Sequence, residues 1–169
     1  MTIDQSTEQR PIAELGDLLY RFEGRLGEMY PIGLFPEGIR FHNDFEGRVV
    51  AGPFAGGRLF GLDQFLVRPD GVGEIHAPEV IDDGRHRVAL DVRGYVLPPE
   101  GAPVPAIEAM LDPRFTFPDV PFRVTGSVLL STAAPAFAHL NRVVAVIEGH
   151  VNLADGHLLV EARAVQRAS

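Results

Sequence analysis

Five residues in the middle of the chain carry the types needed for proton transfer: Asp63, Glu74, His76, Asp91 and Arg93. Two Asp-Gly pairs, at 70–71 and 83–84, lie between them. Asp-Gly suits a two-residue hairpin turn with positive φ at both centres. With such turns, Phe65 faces His76 and Val67 faces Glu74, and Asp63 lies diagonal to His76. Across the second turn His76 faces Asp91 and Glu74 faces Arg93. One face of three strands then gathers all five. A histidine between two carboxylates can shuttle a proton near neutrality. In this arrangement Asp63 or His76 is the acid or base, Asp91 orients His76, and Glu74 contacts the substrate. Arg93 holds a carboxylate, phenolate or enolate oxygen.

Two readings of this ladder stand side by side. In one, the reverse face of Leu62, Leu66, Ile75, Ala77, Val88, Leu90 and Val92 is the core and the ladder is solvated. Exposed ion pairs then contribute about 0–1 kcal/mol each. In the other, the ladder lines a cavity and the apolar face is covered by a second subunit or a long loop. His139 and Asn141 form a second candidate group, pointing inward if the last hairpin's face extends backwards. Tyr20 and Asn43 are further inward polar candidates, either binding residues or core residues with a hydrogen bond.

Strands must position these residues. Gly (18) and Pro (14) are frequent, and period-two alternation recurs. Residues 17–27 place Leu18, Tyr20, Phe22 and Leu26 on one face, and 39–51 place Ile39, Phe41, Asn43, Phe45 and Val49 on one face. Further strands are expected at 58–68, 72–82, 85–97, 122–131, 138–151 and 157–167. A third Asp-Gly, at 155–156, pairs Glu148 with Arg163 and Val151 with Val160. Its apolar wall of Val143, Ala145, Ile147, Val160 and Ala162 suits an aromatic or polyketide-like body. The fold class expected is all-β: a closed antiparallel barrel of about eight strands, which hides its edges. Residues 97–121 hold seven of the 14 prolines and are read as a crossover over a barrel mouth, with a short helix at 104–111. Residues 1–16 are read as an N-terminal extension and 17–169 as the single domain.

Composition narrows the chemistry. There is no cysteine and no lysine, and all 15 basic side chains are arginine. Thiolate nucleophiles, Schiff bases and Walker-type phosphate loops are excluded. A net charge of −8 argues against nucleic-acid binding. No apolar run approaches a membrane span, and Met1 to Arg10 has no signal-peptide pattern, so a cytoplasmic protein is expected. No metal and no cofactor are expected. The partner is a small-molecule ligand, with a homodimer as the expected assembly.

The stretch Asp63-Gln64-Phe65-Leu66-Val67-Arg68-Pro69-Asp70-Gly71 resembles the "D-W-Q-L-V-R-P-D-G" motif of the domain-of-unknown-function 3237 family. Thr132 to Arg142 resembles that family's "T-G-A-P-R-Y-A-W-L-N-R". Gln64 and His139 stand where the family has tryptophan, and His76, Pro78 and Asp91 where it has Asp, Arg and Arg. The resemblance implies a closed barrel of about eight strands and no particular reaction. Together these readings lead to a cofactor-independent enzyme acting by acid–base proton transfer on a small organic molecule, of isomerase, cyclase or lyase type. A non-catalytic carrier, lipocalin-like in use, and a purely structural barrel are the alternatives.

Overall fold

A computed structural model describes residues 11–168. Residues 1–10, and with them the reading of the N-terminus as lacking a leader, lie outside the described residues. Eight strands pair in sequence order and close into one antiparallel barrel: β1 (Ala13–Phe35), β2 (Gly38–Ala51), β3 (Arg58–Val67), β4 (Gly73–Asp82), β5 (Arg87–Leu97), β6 (Pro121–Ser131), β7 (Val144–Asn152) and β8 (His157–Arg167). The barrel begins before residue 17, because Ala13 and Leu15 already pair with Arg167 and Val165. Alternation does the sorting. Tyr20, Phe22, Ile39, Phe41, Phe45, Val88, Leu90, Val92, Ala145 and Ile147 all point inward and are buried in one core. No helix among the described residues is long and apolar enough to cross a membrane.

Closure leaves part of β1 outside the ring. Its pairing with β8 ends at Arg25↔His157, while its pairing with β2 runs on to Phe35↔Gly38. Irregular register sits between Pro31 and Gly33 in this overhanging half. Two cross-strand glycine pairs also mark the ring. Gly24 faces Gly47 on β1–β2, and Gly94 faces Gly126 on β5–β6. A Cβ on Gly94 or Gly126 would strike the neighbouring strand's backbone. These two strand pairs lie opposite each other in an eight-membered ring, so the sheet bends tightly at two corners.

Two expectations about the loops are corrected. The segment 98–120 joins neighbouring strands and is a long connection, not a crossover. Its helix is a single 3₁₀ element, Ile107–Leu111, shorter than 104–111 because Pro105 removes an N–H and Asp112 is extended (ψ 125°) before Pro113. Ile107 and Met110 are nevertheless buried in the core, with Phe115 and Phe117 packed against it, so the segment does cover a mouth. Residues Pro135–Arg142 form a second 3₁₀ helix where the strand 138–151 had been expected to begin. Pro135 stands in its first turn, a position a helix tolerates and a central strand does not.

The Asp-Gly turns set the register, and none has positive φ at the aspartate; only Gly71, Gly84 and Gly156 adopt it. In the β4–β5 turn the Asp83 N–H bonds to the His86 carbonyl, so Gly84-Arg85 is the two-residue loop and partners shift by two. At β7–β8 a four-residue loop also shifts partners by two, giving Glu148↔Glu161 and Gly149↔Val160. An even shift preserves faces. The β3–β4 turn differs. Arg68 N–H bonds to the Val72 carbonyl, and Gly71 N–H to the Arg68 carbonyl. This is a three-residue loop, and it moves the register by one, so Leu66 rather than Val67 faces Glu74. The cause is Pro69. A two-residue Asp70-Gly71 loop needs the N–H of residue 69 as a donor, and proline has none.

Candidate functional site

The one-residue shift divides the five-residue ladder. Asp63 points into the barrel, as do Ile75, Ala77 and Glu79 on β4. Glu74, His76, Asp91 and Arg93 point outward. Of the two readings of the ladder, the solvated one therefore describes these four. His76 faces Arg93, not Asp91. Its Nε2 lies 3.7 Å from Asp91 Oδ1, which also accepts a hydrogen bond from Arg93 Nε at 3.3 Å. Glu74 lies 3.5 Å from Arg68 Nη1. Each is an ordinary surface pair. We expect His76→Ala and Arg93→Ala each to change stability by less than about 0.5 kcal/mol in urea titrations, and to leave any interior binding intact.

His139 and Asn141 are also outside. Both are exposed on the short helix before β7. Asn141 clamps the β6–β7 connection: its Oδ1 accepts the Thr132 N–H at 2.7 Å and its Nδ2 donates to the Thr132 carbonyl at 2.9 Å. Both were expected inward from an extended strand, and the 3₁₀ helix removes that expectation.

Inside, four polar groups gather on β1 to β4. Asn43 faces Asp63 directly across β2–β3. Between Gly61↔Glu79 and Leu66↔Glu74 the β3–β4 ladder is interrupted, and the Asp63 Oδ1 accepts the His76 backbone N–H at 3.1 Å. The expected proximity of Asp63 and His76 is thus real, but it runs through the peptide and not the imidazole. Glu79 faces Gly61, where a Cβ would come within 3.0 Å of the Glu79 Cγ and 2.9 Å of the Phe45 ring. Glycine there makes room for both. Tyr20 is fully buried close by, and burial together with the Glu79 charge holds its phenol well above the ordinary range.

Burial dominates the electrostatics. Removal from bulk water pushes the Asp63 carboxyl up to about 7, against the opposing pull of the His76 N–H. Burial and the nearby Asp63 charge push Glu79 up to about 8. Both side chains keep part of their surface toward a cavity and so are not sealed in apolar packing. Asn43 is buried almost as completely as Tyr20, at 2% exposure. Its Oδ1 has no hydrogen-bond partner. A buried acceptor without a donor is costly and marks a place where a ligand or water would bond.

The cavity has a volume of about 60 Å³, room for roughly five waters or one ring-sized molecule. Its wall is apolar: Phe22, Phe45, Phe65, Val92, Ile147 and Val160 among others. Among the described residues the ionisable groups lining it are Asp63 and Glu79, and no basic side chain does. At one end the Phe54 ring packs at a tilt of 51° against Phe137 (4.7 Å between ring centres), and Leu140 of the same short helix as Phe137 is buried in the core. At the other, the cavity shares Leu26, Met29 and Leu153 with an open recess of about 520 Å³ beneath the β5–β6 segment. Among the described residues no cluster of three or more His or carboxylate side chains is placed to hold a metal ion. The residue missed from sequence is Glu79. Its signal was there: Ile75, Ala77 and Ile81 share its strand face, so an acid interrupts an apolar row.

No family model and no curated protein matches the chain. Solved structures do. A conserved protein of unknown function from Rhodopseudomonas palustris superposes with a TM-score of 0.69 at 21% identity, covering 93% of this chain and 100% of that one. A protein of unknown function from Clostridium acetobutylicum gives 0.68 at 20% identity, over 90% of this chain and 100% of that chain. A beta-barrel like protein from Acinetobacter baumannii gives 0.62 at 20%, over 95% of this chain and 100% of that chain. At such identities the likeness concerns the fold alone.

Proposed function

We propose that this chain is a cofactor-independent acid–base protein acting on a small organic molecule inside the barrel. The reaction would be a proton transfer of isomerase, cyclase or lyase type. The observation that carries this reading is the inward pair Asp63 and Glu79, in a cavity that is otherwise apolar except for Asn43 and, among the described residues, has no basic counter-ion. Between pH of about 7 and about 8 the two carboxyls together hold one proton. One is then a base and the other an acid, in the same cavity and at neutral pH. Asp63 takes the proton from carbon. Glu79, still protonated, donates to the oxygen on which charge develops, the role first given to Arg93. Asn43 Oδ1 holds a donor of the bound molecule. We retain membership of the domain-of-unknown-function 3237 proteins as part of this reading.

The carrier reading has one observation in its favour. Asn43 offers a binding group that no proton transfer requires. A ¹³C NMR titration of the Asp63 and Glu79 carboxyls, with and without phenol and small cyclic ketones, tests the shared premise. Two coupled titrations well above pH 5 that respond to an added compound support it. Two titrations near pH 4, indifferent to every compound, end it. Turnover then separates the two uses: Asp63→Asn abolishes reaction in an enzyme and only weakens affinity in a carrier.

A further inference from the structure

The recess at the open end is larger than the cavity it adjoins. It is formed by the inner ends of β1 and β2, the β7–β8 loop, and the proline-rich β5–β6 segment. Met110, Phe115 and Phe117 supply its apolar wall, and Leu26, Met29 and Leu153 belong to both spaces. All three are only partly buried. They stand between the two spaces and line both. The opposite end is plugged by aromatic packing.

We infer that cavity and recess are two chambers of one binding site, and that its ligand is an elongated, uncharged molecule with a ring-sized head inside and an apolar tail under the β5–β6 segment. This rests on the interior cavity being the functional site. Three features set the class. The cavity alone takes only about one ring. The head must donate a hydrogen bond, because the unpartnered Asn43 Oδ1 and the free side of Asp63 are acceptors. Among the described residues no basic side chain lines either chamber; Asp63 and Glu79 line the inner one without a counter-ion, while the recess is lined by Asp155 and by Asp112, which pairs with Arg114 at 2.7 Å. An anionic head or tail would bury its charge among carboxyls, so fatty acids and organic phosphates are refused.

The test uses phenol, 4-hexylphenol and 4-hexylbenzoate at pH 8, with affinity measured by calorimetry and the Asp63 and Glu79 carboxyls followed by NMR. The hexyl tail should tighten phenol binding about 30-fold, less than full burial of six carbons would give because the recess is open on one side. The benzoate should bind at least about 10-fold more weakly than 4-hexylphenol. Phe115→Ser, in a loop outside the strands, should remove most of the tail's gain and leave phenol unchanged. Leu111→Ser, at a half-exposed position, gives the same answer if Phe115→Ser fails to fold. A tail worth less than 3-fold, or a benzoate that binds as well as the phenol, overturns the two-chamber site. In that case a carboxyl response to phenol alone leaves the interior reading standing. If phenol leaves both carboxyls unmoved while 4-hexylphenol binds, the recess acts alone and the inference falls.

Discussion

Glu79→Gln should make the barrel more stable than the native protein at pH 9 and nearly equal to it at pH 5. In the fold the Glu79 carboxyl keeps its proton to about pH 8, whereas in the unfolded chain it ionises near the ordinary 4.5. The folded pKa is the raised one. Its contribution is therefore fully present below the unfolded value and is lost as pH rises through about 8. Each unit of difference corresponds to about 1.4 kcal/mol. Glutamine keeps the size of the protonated acid and cannot ionise, so the loss disappears. The gain at pH 9 should be roughly 3–5 kcal/mol, allowing for water in the cavity. Asp63→Asn should act in the same direction, over a window from about 4 to about 7. The two should not add, because part of the Glu79 shift comes from the Asp63 charge. Urea unfolding at both pH values checks this; a native-like loss of stability between pH 5 and 9 in Glu79→Gln would contradict it. Such a gain on removing a group is what a site kept for function predicts.

Gly126→Val should cost about 3 kcal/mol or more, or roughly 10 °C in Tm. A side chain on Gly126 would run into the Arg93 carbonyl and the Gly94 Cα, which are backbone and cannot rotate away. Gly94→Val fails for the mirror reason, against Thr125 and Gly126. The strands must separate at a corner of the ring, and the cross-strand hydrogen bonds around Gly94↔Gly126 go with them. Ser127→Val is the control. It is the next residue, on the outer face, and should stay within about 0.5 kcal/mol. Equal thermal melts for Gly126→Val and Ser127→Val would show that the corner has slack.

Much of this barrel was legible before any coordinates. Period-two alternation marks the strands, and the three Asp-Gly pairs locate three hairpins. What alternation cannot supply is loop length, and loop length decides parity. Two turns differed from expectation by an even number of residues and kept every inward residue inward. One differed by a single residue and sent Glu74, His76, Asp91 and Arg93 to the opposite side of the sheet from Asp63. Pro69 held that information, since its missing N–H forbids the shorter turn. The short helix at 135–142 was likewise signalled by Pro135 and overridden by an apparent pattern. The interior site was half legible. Alternation singles out Tyr20 and Asn43 and the hairpin register singles out Asp63, whereas neither names Glu79. Its burial is a property of the closed ring, set by neighbours far along the chain.

The overhanging half of β1 has a meaning for assembly. Beyond Leu26, whose N–H bonds to the Gly156 carbonyl, it presents one row of main-chain groups to β2, and among the described residues no strand lies beside the other row. Tyr30, Ile32 and Leu34 are about half exposed along it. Such a margin invites another chain to add itself as a ninth strand. Pro31 offers no donor there, and the shift before Gly33 spoils the repeat that a partner would have to match. The loose hem of the barrel is thus finished against fraying into neighbours, and two copies that meet would have to do so face to face, through side chains.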